Sequence, residues 1–282
     1  MSIDDTNIII LGGKGMLGTD IQKVCRQKNF NIKVLDLPEL DITNHVQLRE
    51  AIKDSQIVIN CAAYTNVDGA ENESELAYKI NAEAVGQLGN IAKEMNKWIL
   101  HISTDFVFDG SLDRPYIETD ETNPVNTYGK TKLAGEQLLI QSGCKYCIIR
   151  IEWTYGEAGN NFISKIVQYA GNNKMLKVVD DQVGSPTATV EVAAAICKAL
   201  ENRPEGIFHF ASSGYVSRYK MAEFVFDKLS MDVNLMPCKT KEFQTPAERP
   251  LNSRFNCSKI ADMLGIEIER WESPLEKYLK QL

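Results

Sequence analysis

Five apolar runs divide the first half of the chain, separated by stretches with helical patterning. The runs are "NIIIL" (7–11), "IKVLD" (32–36), "SQIVINCAA" (55–63), "WILHIST" (98–104) and "YCIIRI" (146–151). Their apolar residues are consecutive rather than alternating, the pattern of strands buried on both faces. Between them, "TDIQKVCRQ", "VQLREAIKD", "AEAVGQLGNIAKEMN" and the segment that opens at Tyr128 read as helices. Strands and helices alternating in this way predict an α/β fold, a Rossmann-type doubly wound parallel sheet with helices on both faces.

After Arg150 the rhythm loosens. "NNFISKIVQYAG" and "TVEVAAAICKALE" read as helices, and "LKVVDDQ" and "GIFHFAS" as strands. The tail carries prolines at 237, 246, 250 and 274 with shorter elements between them. A dinucleotide-binding domain over residues 1–154 is expected, rejoined by about 181–212, with a smaller α/β lobe for substrate from about 155–180 and 213–282. Whether "GIFHFAS" returns to the first sheet is left open by the pattern.

Length and charge narrow the function. A chain of 282 residues suits one large α/β domain with a smaller lobe. A composition 44% hydrophobic and 24% charged supports a packed core rather than disorder. The formal net charge of −7, with no basic run to offset it, predicts repulsion from nucleic acid and from anionic membranes. "MSIDDTNIIILGG" lacks the basic start and long apolar core of a signal peptide. No stretch approaches the roughly 20 apolar residues needed to span a bilayer. A cytoplasmic protein acting on a small molecule is expected.

Seven scattered cysteines do not look like a disulfide framework. Cys144 and Cys147 form a C-x-x-C, but it leads into a strand rather than opening a helix, so buried thiols are expected. His45, His101 and His209 have no metal-ligand spacing.

The first apolar run ends in "GGKGMLG". Gly12, Gly15 and Gly18 fit G-x-x-G-x-x-G, and Gly13, Gly15 and Gly18 fit G-x-G-x-x-G. After a strand and before a helix, such glycines allow a tight turn and close approach of backbone to a pyrophosphate. The helix N-terminus then offers free N–H groups to the phosphates. Asp36 ends the second run where an acid would bind the adenosine ribose. No arginine stands beside it to hold a 2′-phosphate, so NADH is usable. Lys14 inside the loop could serve a phosphate, which leaves NADPH open as well. Asp41 and Ile42, in "LDIT", are candidates to border the adenine.

A dinucleotide site gives "NTYGKTKLAG" (126–135) a chemical reading. Tyr128 and Lys132 are four apart and share a helix face. A neutral phenol can supply a proton to a nascent alkoxide, and a nearby ammonium favours the phenolate left behind. Thr104, at the end of the fourth run, is set to hydrogen-bond the carbonyl oxygen.

The glycine loop, Tyr-x-x-x-Lys and the hydroxyl of the fourth strand resemble the extended short-chain dehydrogenase/reductases. "NCAAYTNVDGAE" (60–71), "STDFVFDG" (103–110), "NTYGKTKLAGE" (126–136), "RIEWTYG" (150–156), "DDQVGSPT" (180–187) and "RPLNSRF" (249–255) are similar to the dTDP-4-dehydrorhamnose reductase family over nearly the whole chain. The resemblance implies reduction of the 4-keto group of dTDP-4-dehydro-β-L-rhamnose by NADPH or NADH. It implies Tyr128 as proton donor, Lys132 tuning it and Thr104 orienting the carbonyl. Gly15, Met16 and Leu17 would line the pyrophosphate, and Ala62, Ala63 and Tyr64 the cofactor. Thr104, Asp105 and Trp153 match positions that hold the sugar. Arg249, in "RPLNSR", is a candidate phosphate contact. The same subfamily includes other sugar-nucleotide reductases and a non-catalytic regulatory subunit, and an epimerase on this scaffold stays open. Some members form a homodimer bridged by magnesium. Asp20 could match one ligand, but only Glu191 stands in the helix after "GSPT", so no metal is assigned.

Overall fold

The computed structural model describes residues 6–172 and 175–282. The acidic start of the chain before Thr6, and residues 173–174 within the expected second lobe, lie outside the described residues. Ile8–Leu11 (β1) is four aliphatic residues in a row, all buried. Ile57–Asn60 (β3) repeats that burial, while Ile32–Leu35 (β2) is half-covered. The difference follows from position: β2 is an edge strand and β3 is central. Trp98–Thr104 (β4) and Lys145–Ile151 (β5) are longer, and the strand Gly206–Phe210 pairs with β5.

The sheet runs β2, β1, β3, β4, β5, then Gly206–Phe210, and every pairing is parallel. "GIFHFAS" therefore does return to the first sheet. The chain builds β1 and β2 outward, then crosses back to lay β3 on the other side of β1. That reversal opens a crevice beyond the carboxyl ends of β1 and β3, where such sheets bind ligands.

Helices cover both faces. Met16–Gln27 (α1) and the helix Thr189–Asn202 pack on one side, with Ile21, Val192 and Ile196 fully buried. His45–Ile52 (α2), Ala84–Glu94 (α4) and Thr127–Gln141 (α5) cover the other, around Leu48, Leu88 and Leu139. Burying one such side chain contributes about 1.5–3 kcal/mol. Asn44 caps α2 and Asn126 caps α5 by accepting backbone N–H groups. Before α4 the helical stretch starts earlier than its apolar pattern, with Ser74–Tyr78 (α3) and a π turn over Lys79–Glu83.

A third core lies apart from the sheet. Ile163, Val225 and Leu275 pack there from the helices Phe162–Asn172, Arg218–Lys228 and Glu272–Leu279, joined by Trp271 just before the last. The parallel pair Met175–Val179 and Asn234–Cys238 belongs to the same region. The cysteines are free thiols, and Cys144 and Cys147 are buried. Among the described residues, no helix is long and apolar enough to cross a membrane.

Candidate active site

A cleft of about 780 Å³ opens at the carboxyl ends of β1, β3, β4 and β5. At one end it is made largely of backbone. Gly12 has φ +72°, and a Cβ there would stand 2.5 Å from the Ala62 nitrogen, so only glycine lets β1 and β3 meet this closely. A Cβ on Gly18 would stand 2.5 Å from the Gly12 carbonyl oxygen, so α1 docks on the turn itself. Gly15 begins α1 with no side-chain cap. The first-turn N–H groups at Met16, Leu17 and Gly18 thus face the cleft, the arrangement that receives a phosphate.

Asp36 lines this end beside Asp41 and Ile42. Its carboxylate accepts the Lys14 N–H at 2.8 Å and the Leu37 N–H at 2.7 Å, which ties the glycine loop to β2. The Lys14 ammonium turns outward to Glu39 (2.7 Å) and to the Leu37 carbonyl (2.8 Å). Ala62 and Ala63 line the cleft, as the sequence suggested, but Tyr64 does not. The Tyr64 hydroxyl donates to Glu73, and its N–H donates to Asn81 Oδ1 at 2.8 Å, so the ring is drawn away.

The middle of the cleft holds Thr104, Tyr128 and Lys132 together. Gly129 lets α5 press on the turn after β4, since a Cβ there would stand 2.1 Å from the Phe106 carbonyl oxygen. A buried ion pair fixes the helix further. Glu136 of α5 receives Arg150 of β5 at 3.0 and 2.6 Å, and the Ser103 hydroxyl of β4. The π turn adds a third tie, with Asn81 Nδ2 donating to Thr131 Oγ1 at 3.1 Å. π turns of this kind recur at functional sites.

Burial pushes the Tyr128 phenol up, and the Asp105 carboxylate adds to this while Thr104 opposes it. Burial brings the Lys132 ammonium down to about 8, against the pull of Glu136 and Cys61. The Lys132 Nζ turns to β4, donating to the Ile102 carbonyl at 2.7 Å. The Thr104 hydroxyl accepts the Phe106 N–H at 3.2 Å and donates to Asp105 Oδ1 at 3.0 Å.

The far end is built from side chains. Asp105 is buried, which raises its carboxyl, while Ser253 and Thr104 donate to it and pull the other way. Trp153 follows β5 with φ +46°, a left-handed backbone that a bulky residue rarely adopts. Such strain costs about 1–3 kcal/mol and collects at functional sites. The Arg218 guanidinium stacks 3.5 Å from the centroid of the Trp153 ring and 4.8 Å from that of Phe162. Burial works against its charge, and Asp105 and Glu152 support it. A guanidinium remains charged in such a setting.

Arg218 and Phe106 line the cleft and were not picked out in the sequence. Locally the sequence marks only the helix that Arg218 opens, capped by Ser217. Arg249 does not line the cleft. It pairs with Asp68 at 2.8 Å and ties "RPLNSR" to the loop after β3. The Asp20 carboxylate accepts Thr189 Oγ1 at 2.6 Å and lies 3.4 Å from Lys23. Among the described residues no group of three or more His, Cys, Asp or Glu could hold a metal ion.

The chain matches the RmlD substrate binding domain over residues 6–282. It is 37% identical to a dTDP-4-dehydrorhamnose reductase of Aggregatibacter actinomycetemcomitans, covering 95% of this chain and 97% of that one. The crystal structure of a dTDP-4-dehydrorhamnose reductase from Clostridium acetobutylicum is similar at 40% identity and TM-score 0.93, over 98% of this chain and 99% of that one. The reductase of Bacillus anthracis, solved in complex with NADP, superposes with TM-score 0.94 at 34% identity over the full length of both chains. The chain belongs to the family defined by the RmlD substrate binding domain.

Proposed function

We propose that this protein reduces the 4-keto group of dTDP-4-dehydro-β-L-rhamnose to give dTDP-β-L-rhamnose, with NADPH or NADH as reductant. The observation that carries this reading is the continuity of one cleft. It runs from the uncapped start of α1, past Thr104, Tyr128 and Lys132, to Trp153 and Arg218. The reduced nicotinamide supplies the hydride.

In this reading the glycine loop and the first turn of α1 bind the pyrophosphate, and Asp36 receives the adenosine ribose. Ala62 and Ala63 border the dinucleotide where it crosses β3. Tyr128 gives its proton to the developing alkoxide. Burial weakens the phenol as an acid and keeps it protonated until then, and an alkoxide is a far stronger base than a phenolate. Thr104 hydrogen-bonds the same oxygen when its proton turns from Asp105. Lys132 supplies positive charge beside the phenolate that forms.

Trp153 offers a flat apolar face to the deoxysugar, and Asp105 accepts from its hydroxyls. Arg218, stacked on that indole, is the cation for the diphosphate or a sugar oxygen. The lobe holding the third core binds the nucleotide, and Arg249 keeps the "RPLNSR" segment against the loop after β3. The test is loss of reduced-cofactor absorbance with dTDP-4-dehydrorhamnose, one cofactor oxidised per sugar reduced. Turnover of cofactor-free epimerisation in its place would refute the reading.

A further inference from the structure

Lys132 Nζ lies 3.3 Å from His101 Nε2 as well as 2.7 Å from the Ile102 carbonyl. On the other side of the same ring, His101 Nδ1 lies 3.1 Å from Asn60 Nδ2. Asn60 has a fixed orientation, because its Oδ1 accepts the Ala62 N–H at 3.2 Å. Its NH₂ therefore faces the ring. All three side chains are buried: Asn60 is 1%, His101 0% and Lys132 2% exposed.

An amide NH₂ can only donate, so His101 Nδ1 must accept. A neutral imidazole that accepts at Nδ1 carries its proton on Nε2. That N–H points at the lysine nitrogen. An ammonium has no lone pair to receive it, and a neutral amine has one.

We propose that Asn60 and His101 are positioning residues for Lys132: Asn60 locks the imidazole tautomer, and the Nε2–H so directed makes the lysine proton easier to lose. The proposal rests on the reading of Lys132 as the partner of Tyr128. It makes β3 and β4, and not only α5, part of the apparatus that sets the lysine charge.

The surroundings agree. Burial and the Lys132 charge keep His101 well below its usual value, so it remains a neutral ring. The titratable groups around Lys132 are His101 on β4, Cys61 after β3 and Glu136 on α5. Glu136 is already paired with Arg150, and burial drives the Cys61 thiol up to about 12, so it stays uncharged. The protonated lysine is the form that supports a phenolate, so turnover should fall as pH rises through about 8.

The experiment combines two NMR readouts with a pH profile on the full chain. Long-range ¹H–¹⁵N spectra of the three histidines report the His101 tautomer, and the ¹³Cε shift of Lys132 reports its titration. The wild type should show an Nε2–H tautomer at His101. In Asn60→Asp the carboxylate accepts from Nδ1–H, the tautomer reverses, and Nε2 becomes an acceptor for the ammonium. His101→Gln can rotate its amide oxygen to the ammonium without adding charge. Both variants should move the Lys132 midpoint, and the alkaline limb of kcat, upward by about one pH unit. A merely structural role would lower activity or stability and leave the midpoint in place.

An Nδ1–H tautomer in the wild type overturns the proposal, and that measurement needs no variant. An unmoved Lys132 midpoint in both folded variants also overturns it. If tautomer and midpoints behave as expected but the wild type reduces no keto-sugar nucleotide, the positioning pair stands and the reductase reading falls.

Discussion

The two ends of the cleft are made differently. The end proposed for the dinucleotide is backbone: Gly12 and Gly18 leave room for main chain to meet main chain, and α1 starts uncapped. The far end is side chain on side chain: Trp153 in a left-handed conformation, Arg218 stacked on it, Asp105 buried beside Ser253. Backbone geometry is generic to any bound pyrophosphate. Stacked and buried side chains can discriminate one sugar from another. One end can thus be shared across many reductases, and the other is the end proposed to carry the substrate choice.

Tyr128→Phe cuts between the two ends and should have the largest effect. It removes one proton donor and no binding surface, so kcat should fall by about 10²–10⁴. The NADPH dissociation constant, read by fluorescence titration, should stay within a factor of about two, since no binding contact is lost. Full activity in this variant would dismiss Tyr128 as the donor.

Gly12→Ala tests the backbone end. Its Cβ would stand 2.5 Å from Ala62 and the residue would be held at φ +72°. A cost of about 1–3 kcal/mol should weaken NADPH binding by about 5–150-fold. Unchanged cofactor affinity would show that β1 and β3 can part without harm.

Trp153→Ala tests the far end. KM for the sugar nucleotide should rise about tenfold, from the lost face and the unstacking of Arg218, with the NADPH dissociation constant unchanged. Lost cofactor affinity would erase the distinction between the ends.

Asp36→Ala is the mildest. The ratio of kcat/KM for NADH over NADPH should fall by roughly 2–10-fold, the value of one hydrogen bond and a removed repulsion. A constant ratio would remove Asp36 as the selector.

The same contrast explains what could be read from the sequence. β1, β3 and β4 were legible because strands covered on both faces must be apolar throughout. The glycine loop was legible because backbone proximity requires glycine at fixed spacing. Tyr128, Lys132 and Thr104 followed from helix geometry and a strand end. α3 and the π turn were missed because "SELAYKINAE" carries charges among its apolar residues and shows no apolar stripe of its own. Arg218 was missed because nothing near residue 218 announces that folding will bring it onto Trp153, 65 positions earlier. Tyr64 and Arg249 were assigned to the cleft on motif position alone, but Glu73 and Asp68 hold them elsewhere.

The Glu136–Arg150 pair, buried at 1% and 3% side-chain exposure, has a consequence for motion. Parting such a pair leaves two unpaired charges in the core, a cost of about 3–5 kcal/mol. The helix that carries Tyr128 cannot slide or turn against β4 and β5 without that rupture. Its amide hydrogens around Glu136 should exchange with solvent only when the whole sheet opens. Heat should then abolish activity and structure at one temperature, leaving no range in which the protein is folded but idle.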